Sequence, residues 1–113
     1  MKEERAARYA DGMSSEVVLP QISHIESGHR GAFAFVIEGK RLAEMTYSVS
    51  TESLIIIDHT AVDPALRGTG AGKKLLAALV EWTRATGKKV IPLCPFAKAT
   101  FEKTPEMRDV LAH

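Results

Sequence analysis

The feature that most constrains this chain is the stretch Leu54 to Lys74, where an apolar run meets a glycine-rich turn and then a helical pattern. Leu54 to Val62 is rich in β-branched residues, and its continuity predicts a strand buried on both faces rather than one alternating inside and out. Asp63-Pro64 ends it, because proline cannot donate to a ladder and restricts the residue before it. Gly68, Gly70 and Gly72 follow at alternate positions. A strand, a glycine turn and a helix start form an anion cradle, since the first amides of a helix lack partners and its dipole favours negative charge. Glycine also lets the backbone approach the anion without an intervening Cβ.

Two familiar phosphate loops do not fit. In a Gly-x-x-x-x-Gly-Lys-Ser/Thr loop, Arg67 would stand at the first glycine and Lys74 at the hydroxyl. In a Gly-x-Gly-x-x-Gly fingerprint, Lys73 would take the place of the third glycine. What remains is Arg-x-x-Gly-x-Gly from Arg67 to Gly72, preceded by Ala-Val-Asp-Pro. The bland alternative is a turn that merely tightens a strand-to-helix corner.

Composition narrows the function classes. A length of 113 residues suits one domain with a modest core. The formal net charge of +1 lacks the basic excess of a nucleic-acid binder. No run is long and apolar enough for a membrane span, and the start Met1-Lys2-Glu3-Glu4-Arg5 is no signal peptide. One cysteine precludes an internal disulfide and suits a cytoplasmic setting. Four histidines and that cysteine show no paired zinc-ligand spacing, so no metal is expected.

The rest of the chain supplies a scaffold. Met1 to Ser15 has no apolar face and reads as a loose tail, followed by a single domain over residues 16–113. Val17 to Ile25 can be extended, with Pro20 confining it to an edge. A strand from Gly31, a turn at Glu38-Gly39-Lys40 and a returning strand from Arg41 to Ser50 predict an antiparallel meander into the central strand. Within the returning strand, Ala43, Met45, Tyr47 and Val49 oppose Leu42, Glu44, Thr46 and Ser48. Beyond Gly72 the period becomes helical, with Leu75, Leu76, Leu79, Val80 and Thr83 on one face and Gly87 at the C-cap. Lys89 to Leu93 is then a strand reached through a helix, hence parallel to the first. Pro95 opens a further helix with Cys94 near its N-cap, and Pro105 to Leu111 makes a last short one. The class is α+β: a mixed sheet with an antiparallel meander, then a βαβ unit and short C-terminal helices.

The loop Arg67 to Gly72 behind Val-Asp-Pro resembles the acetyl-coenzyme A pyrophosphate loop of the GCN5-related N-acetyltransferase superfamily. Together with His59-Thr60 and Pro92-Leu93-Cys94-Pro95-Phe96-Ala97, it is similar to the minimal members of that group, and the likeness spans roughly Gly31 to Leu111. It implies their fold, with the two helices that usually separate the first two strands left out. It also implies transfer of an acetyl group from acetyl-CoA to an amine, on a small molecule or on a protein lysine or N-terminus. A monomer or small homo-oligomer is expected. By the same resemblance, the amides of Gly68, Gly70, Gly72 and Lys73 take the pyrophosphate, with Arg67 shaping the loop. The backbone of Thr60, Ala61 and Val62 takes the pantetheine amides. Lys74 reads equally as a solvated helix residue.

Two side chains are candidates for the chemistry. Asp58 and His59 interrupt an apolar run, and alternation would point them to opposite faces. His59 is either a general base for the amine or a tether between strands. Cys94 is a covalent nucleophile, an acid for the departing thiolate, or a packing residue. The tyrosine that many members use as an acid has no counterpart, since none lies C-terminal of Tyr47. The competing functions are a non-catalytic acyl-CoA-binding module and a protein-interaction domain, and the latter has no need of the three glycines.

Overall fold

The computed structural model describes residues 21–112, so the predicted tail over residues 1–15 and the start of the first extended segment lie outside it. Five strands form one sheet in sequence order: β1 (Gln21–Ser27), β2 (Arg30–Ile37), β3 (Lys40–Thr51), β4 (Leu54–Val62) and β5 (Lys89–Pro92). The first three pairings are antiparallel and β4 runs parallel to β5. β1 is an edge strand that turns into β2 through Gly28 and His29, with no helix between them. The β2–β3 turn places Glu38 and Gly39 at positive φ, 52° and 79°. This mirror-image turn matches the twist of the strands it joins.

Helix α1 (Ala71–Thr86) crosses from β4 to β5, and α2 (Pro95–Lys103) follows β5. Leu75, Leu76, Leu79 and Val80 are fully buried against Phe33, Phe35, Met45, Tyr47, Ile55 and Ile57. Each such side chain stabilises by about 1.5–3 kcal/mol, which outweighs the roughly 1 kcal/mol that Gly72 costs within the helix. Gly87, at φ 72°, caps α1 as expected. Arg84 then forks onto both oxygens of Asp109 at 2.7 and 3.1 Å, tying α1 to the 3₁₀ segment Pro105–Val110. A second cluster pins β1 to the far end of α1. The His24 ring stacks on Phe33 at 4.1 Å and meets the Trp82 edge at 4.6 Å, with its Nε2 2.6 Å from the Tyr47 hydroxyl. Burial holds the His24 pKa below its ordinary value despite nearby Glu26, and pushes Tyr47 up to about 12.

β4 departs from its predicted uniform burial. Ile55 and Ile57 are fully buried under α1, whereas Leu54 and Ile56 are only half-buried and His59 and Ala61 are exposed. The register explains why. Thr46 pairs with His59 but Tyr47 pairs with Ile57, so Asp58 is an extra residue in β4, a β-bulge. Beyond the bulge the alternation reverses: Thr60 and Val62, opposite Met45 and Ala43, continue the helix-facing row of Ile55 and Ile57. Asp58 and His59 therefore do not point to opposite faces. The Asp58 carboxylate accepts from Ser48 at 2.7 Å, and His59 is registered against Thr46 on that same outer face.

Candidate active site

The pairing of β4 with β5 covers only four positions, Leu54 to Ile57 against Lys89 to Pro92. There β5 curls away. The amides of Leu93 and Cys94 both donate to the Ile57 carbonyl, at 3.1 and 3.2 Å, and Pro95 starts α2. Asp58 to Val62 continues with β3 on one side and, among the described residues, no parallel strand on the other. Backbone donors and acceptors along that open side are free for a ligand, because a strand edge is an array of them.

The glycine loop sits where this open edge ends. Asp63 caps a 3₁₀ turn, Pro64–Leu66, by accepting from the Ala65 amide at 2.9 Å. The turn closes with Arg67 and Thr69 amides on the carbonyls of Pro64 and Leu66. Gly68 and Gly70 then take φ of 81° and 80°, the left-handed region that costs other residues about 1–2 kcal/mol. Ideal Cβ atoms at either would meet nothing within 4 Å, so the space over the loop is open. α1 begins at Ala71, and its first amides have no intrahelical acceptor. Gly72 is different. A Cβ there would come within 2.6 Å of the Phe96 ring, so this glycine admits the ring onto the first turn of α1.

These residues enclose a cleft of about 250 Å³, lined by Val62, Leu66, Arg67, Gly68, Gly70, Ala71, Gly72, Lys73 and Phe96. The structure thus brings Val62, Arg67, the three glycines and Lys73 to one cleft. Leu66, Ala71 and Phe96 are lining residues that pattern reading did not assign to the site, and the local signal of Phe96 is its place after Cys94-Pro95. An arginine, a lysine, orphan amides and an apolar wall suit a ligand that carries phosphates at one end and an uncharged arm. Ala61 instead lines an outer groove of about 330 Å³ with Arg41, Leu42, Glu44 and Asp63.

Cys94 occupies the N-cap of α2, 5% exposed, with no capping bond from its side chain. Its Sγ donates to Thr60 Oγ1 at 3.2 Å, across the gap between the strands. Thr60 thus meets Cys94 on the helix-facing side, while His59 stands one residue away on the opposite face. Among the described residues no group of histidine, cysteine and acidic side chains could hold a metal ion.

The five-stranded mixed sheet, whose parallel pair parts beside a glycine loop, is a GNAT-like (GCN5-related N-acetyltransferase) fold. The profile described as GCN5-related N-acetyl-transferase matches residues 32–110, and the chain belongs to that family. It is therefore an N-acetyltransferase in class, acting on an amine acceptor. A GCN5-like N-acetyltransferase candidate from Staphylococcus aureus is 38% identical; the match covers 80% of this chain and 87% of that one, with a TM-score of 0.61. Two further structures share the fold. The ribosomal-protein-S18-alanine N-acetyltransferase of Escherichia coli is 22% identical, over 69% of this chain and 53% of that one, TM-score 0.57. Tetrahymena GCN5 is 13% identical, over 68% and 51%, TM-score 0.57. A search of curated proteins found no match. No helix among the described residues is long and apolar enough to cross a membrane.

Proposed function

We propose that this chain transfers an acetyl group from acetyl-CoA to a primary amine, with donor and acceptor meeting across the gap between β4 and β5. The observation that carries this reading is the parting of the strands after Ile57 and Pro92, directly beside the loop. Acetyl-CoA supplies an activated acetyl thioester. Arg67, Lys73 and the amides of the glycine loop and first turn of α1 would hold its pyrophosphate. The unpaired edge of Thr60, Ala61 and Val62 would hold the pantetheine arm, with Phe96 and Leu66 as its apolar wall.

The two candidate side chains divide the proton work by face. His59, exposed on the outer face, takes a proton from the incoming amine. Cys94, on the helix-facing side, supplies a proton to the departing sulfur, the task that a tyrosine performs in many relatives. Base and acid on opposite sides of the reacting carbon suit direct attack, which needs no acyl-cysteine. The outer face around His59 carries no helix among the described elements and has open grooves. This breadth favours a protein lysine or N-terminus over a small amine. A lone free cysteine suits the cytosol, which we take as the compartment.

Calorimetric titration with acetyl-CoA tests the donor half. Saturable binding that is lost in Gly70→Val supports the reading. An unperturbed Gly70→Val would move the pyrophosphate away from the loop. A panel of peptide and small amines, followed by mass spectrometry, then tests transfer.

A further inference from the structure

Resting on that reading, we propose that Thr60 is a positioning residue for Cys94, the two side chains forming one proton-donating pair in the cleft. Three observations meet here. The Cys94 thiol is nearly buried, and its Sγ lies 3.2 Å from Thr60 Oγ1 and donates to it. The bulge at Asp58 turns Thr60, rather than His59, toward the helix-facing side. Both residues border the segment where β4 has lost its parallel neighbour, the place where the thioester sulfur is expected.

A hydroxyl has one hydrogen to give and two lone pairs, so Thr60 can receive the thiol hydrogen and keep its own. In the resting site it fixes the thiol rotor along the open edge of β4. During transfer the Cys94 S–H turns from Thr60 to the departing sulfur and gives it the proton. The Thr60 hydroxyl then turns its own hydrogen toward the Cys94 sulfur, now a thiolate, and supports the charge. His59 takes the proton of the attacking amine and releases it to solvent, and a proton from solvent restores the Cys94 thiol, so the pair ends as it began. Without the hydroxyl, a thiolate at 5% exposure would lack a donor from this strand.

Cys94 is the sole cysteine, so its S–H stretching band in the infrared reports this one group. We expect the wild-type band at the lower frequency of a hydrogen-bonded thiol. It should rise in Thr60→Val, a substitution of equal shape, and return in Thr60→Ser. Loss of a hydrogen bond of this kind should lower kcat roughly tenfold in Thr60→Val. KM for acetyl-CoA should hold within about twofold, and Thr60→Ser should recover kcat, because backbone groups rather than this hydroxyl carry the binding. A band unmoved by Thr60→Val, or a kcat unmoved while the band shifts, overturns the proposal. A KM increase with unchanged kcat also overturns it, by making Thr60 a binding residue. A wild-type chain inactive toward every amine tested would count against transfer itself, and the infrared comparison would still decide whether the pair exists.

Discussion

The two halves of β4 share a strand and differ in what lies beside them. From Leu54 to Ile57 the backbone is paired on both edges, and Ile55 and Ile57 are sealed under α1. From Asp58 to Val62 one edge has no partner among the described residues, and the side chains are polar or small. The bulge at Asp58 is the boundary, and it also exchanges which residues face the helix. The difference teaches that stability and binding occupy separate stretches of one element. The first half anchors the sheet to its core; the second presents backbone and side chains to a ligand. Substitutions should sort by half, with folding free energy changing in one and affinity or turnover in the other.

The largest expected effect is on ligand binding. Gly70→Val places a β-branched residue at φ 80° and a side chain in the open space of the cradle. It should abolish acetyl-CoA binding in calorimetry while costing about 1–2 kcal/mol of stability. Next is His59→Ala, which should lower turnover about 10²–10⁴-fold with little change in acetyl-CoA affinity. An equal loss of affinity and rate would make His59 a tether rather than a base. Ile57→Ala probes the first half and should destabilise by about 2–5 kcal/mol in urea titration. If the chain that remains folded keeps its acetyl-CoA affinity, the division within β4 holds.

Much of this division is written in local chemistry, and some is not. Asp63-Pro64 and the alternating glycines mark the strand end and the loop, because proline and glycine act on their own backbone. The apolar face of α1 is legible in its period, and so is Gly87. The bulge is not legible. The apolar run gives no sign of an extra residue, and Asp58 looks like any polar interruption until Thr46 and Tyr47 fix the register. The Thr60–Cys94 contact joins residues 34 apart, and only the curl of β5 after Pro92 creates it. Phe96 reads as a helix residue until Gly72 is seen to lie beneath its ring.

The smallest expected effect concerns the far end of α1. Burial disfavours the charged form of His24, so the folded chain binds its proton less readily than the unfolded chain. Stability from this group is full above the ordinary histidine pKa of about 6.5 and falls as pH drops through it toward the lower folded value. Urea midpoints measured between neutral and mildly acidic pH should decline, and His24→Gln should flatten part of that decline. Acetyl-CoA affinity should track this change only through folding, since the cluster is remote from the loop.

Hydrogen–deuterium exchange with and without acetyl-CoA tests the central claim most directly, because it reads the two halves of β4 in one experiment. Protection should appear over residues 58–62 and over Gly68 to Lys73, with little change over Leu54 to Ile57, which is already paired on both sides. Protection confined elsewhere, or spread evenly along β4, would contradict the assignment of the open edge to the donor.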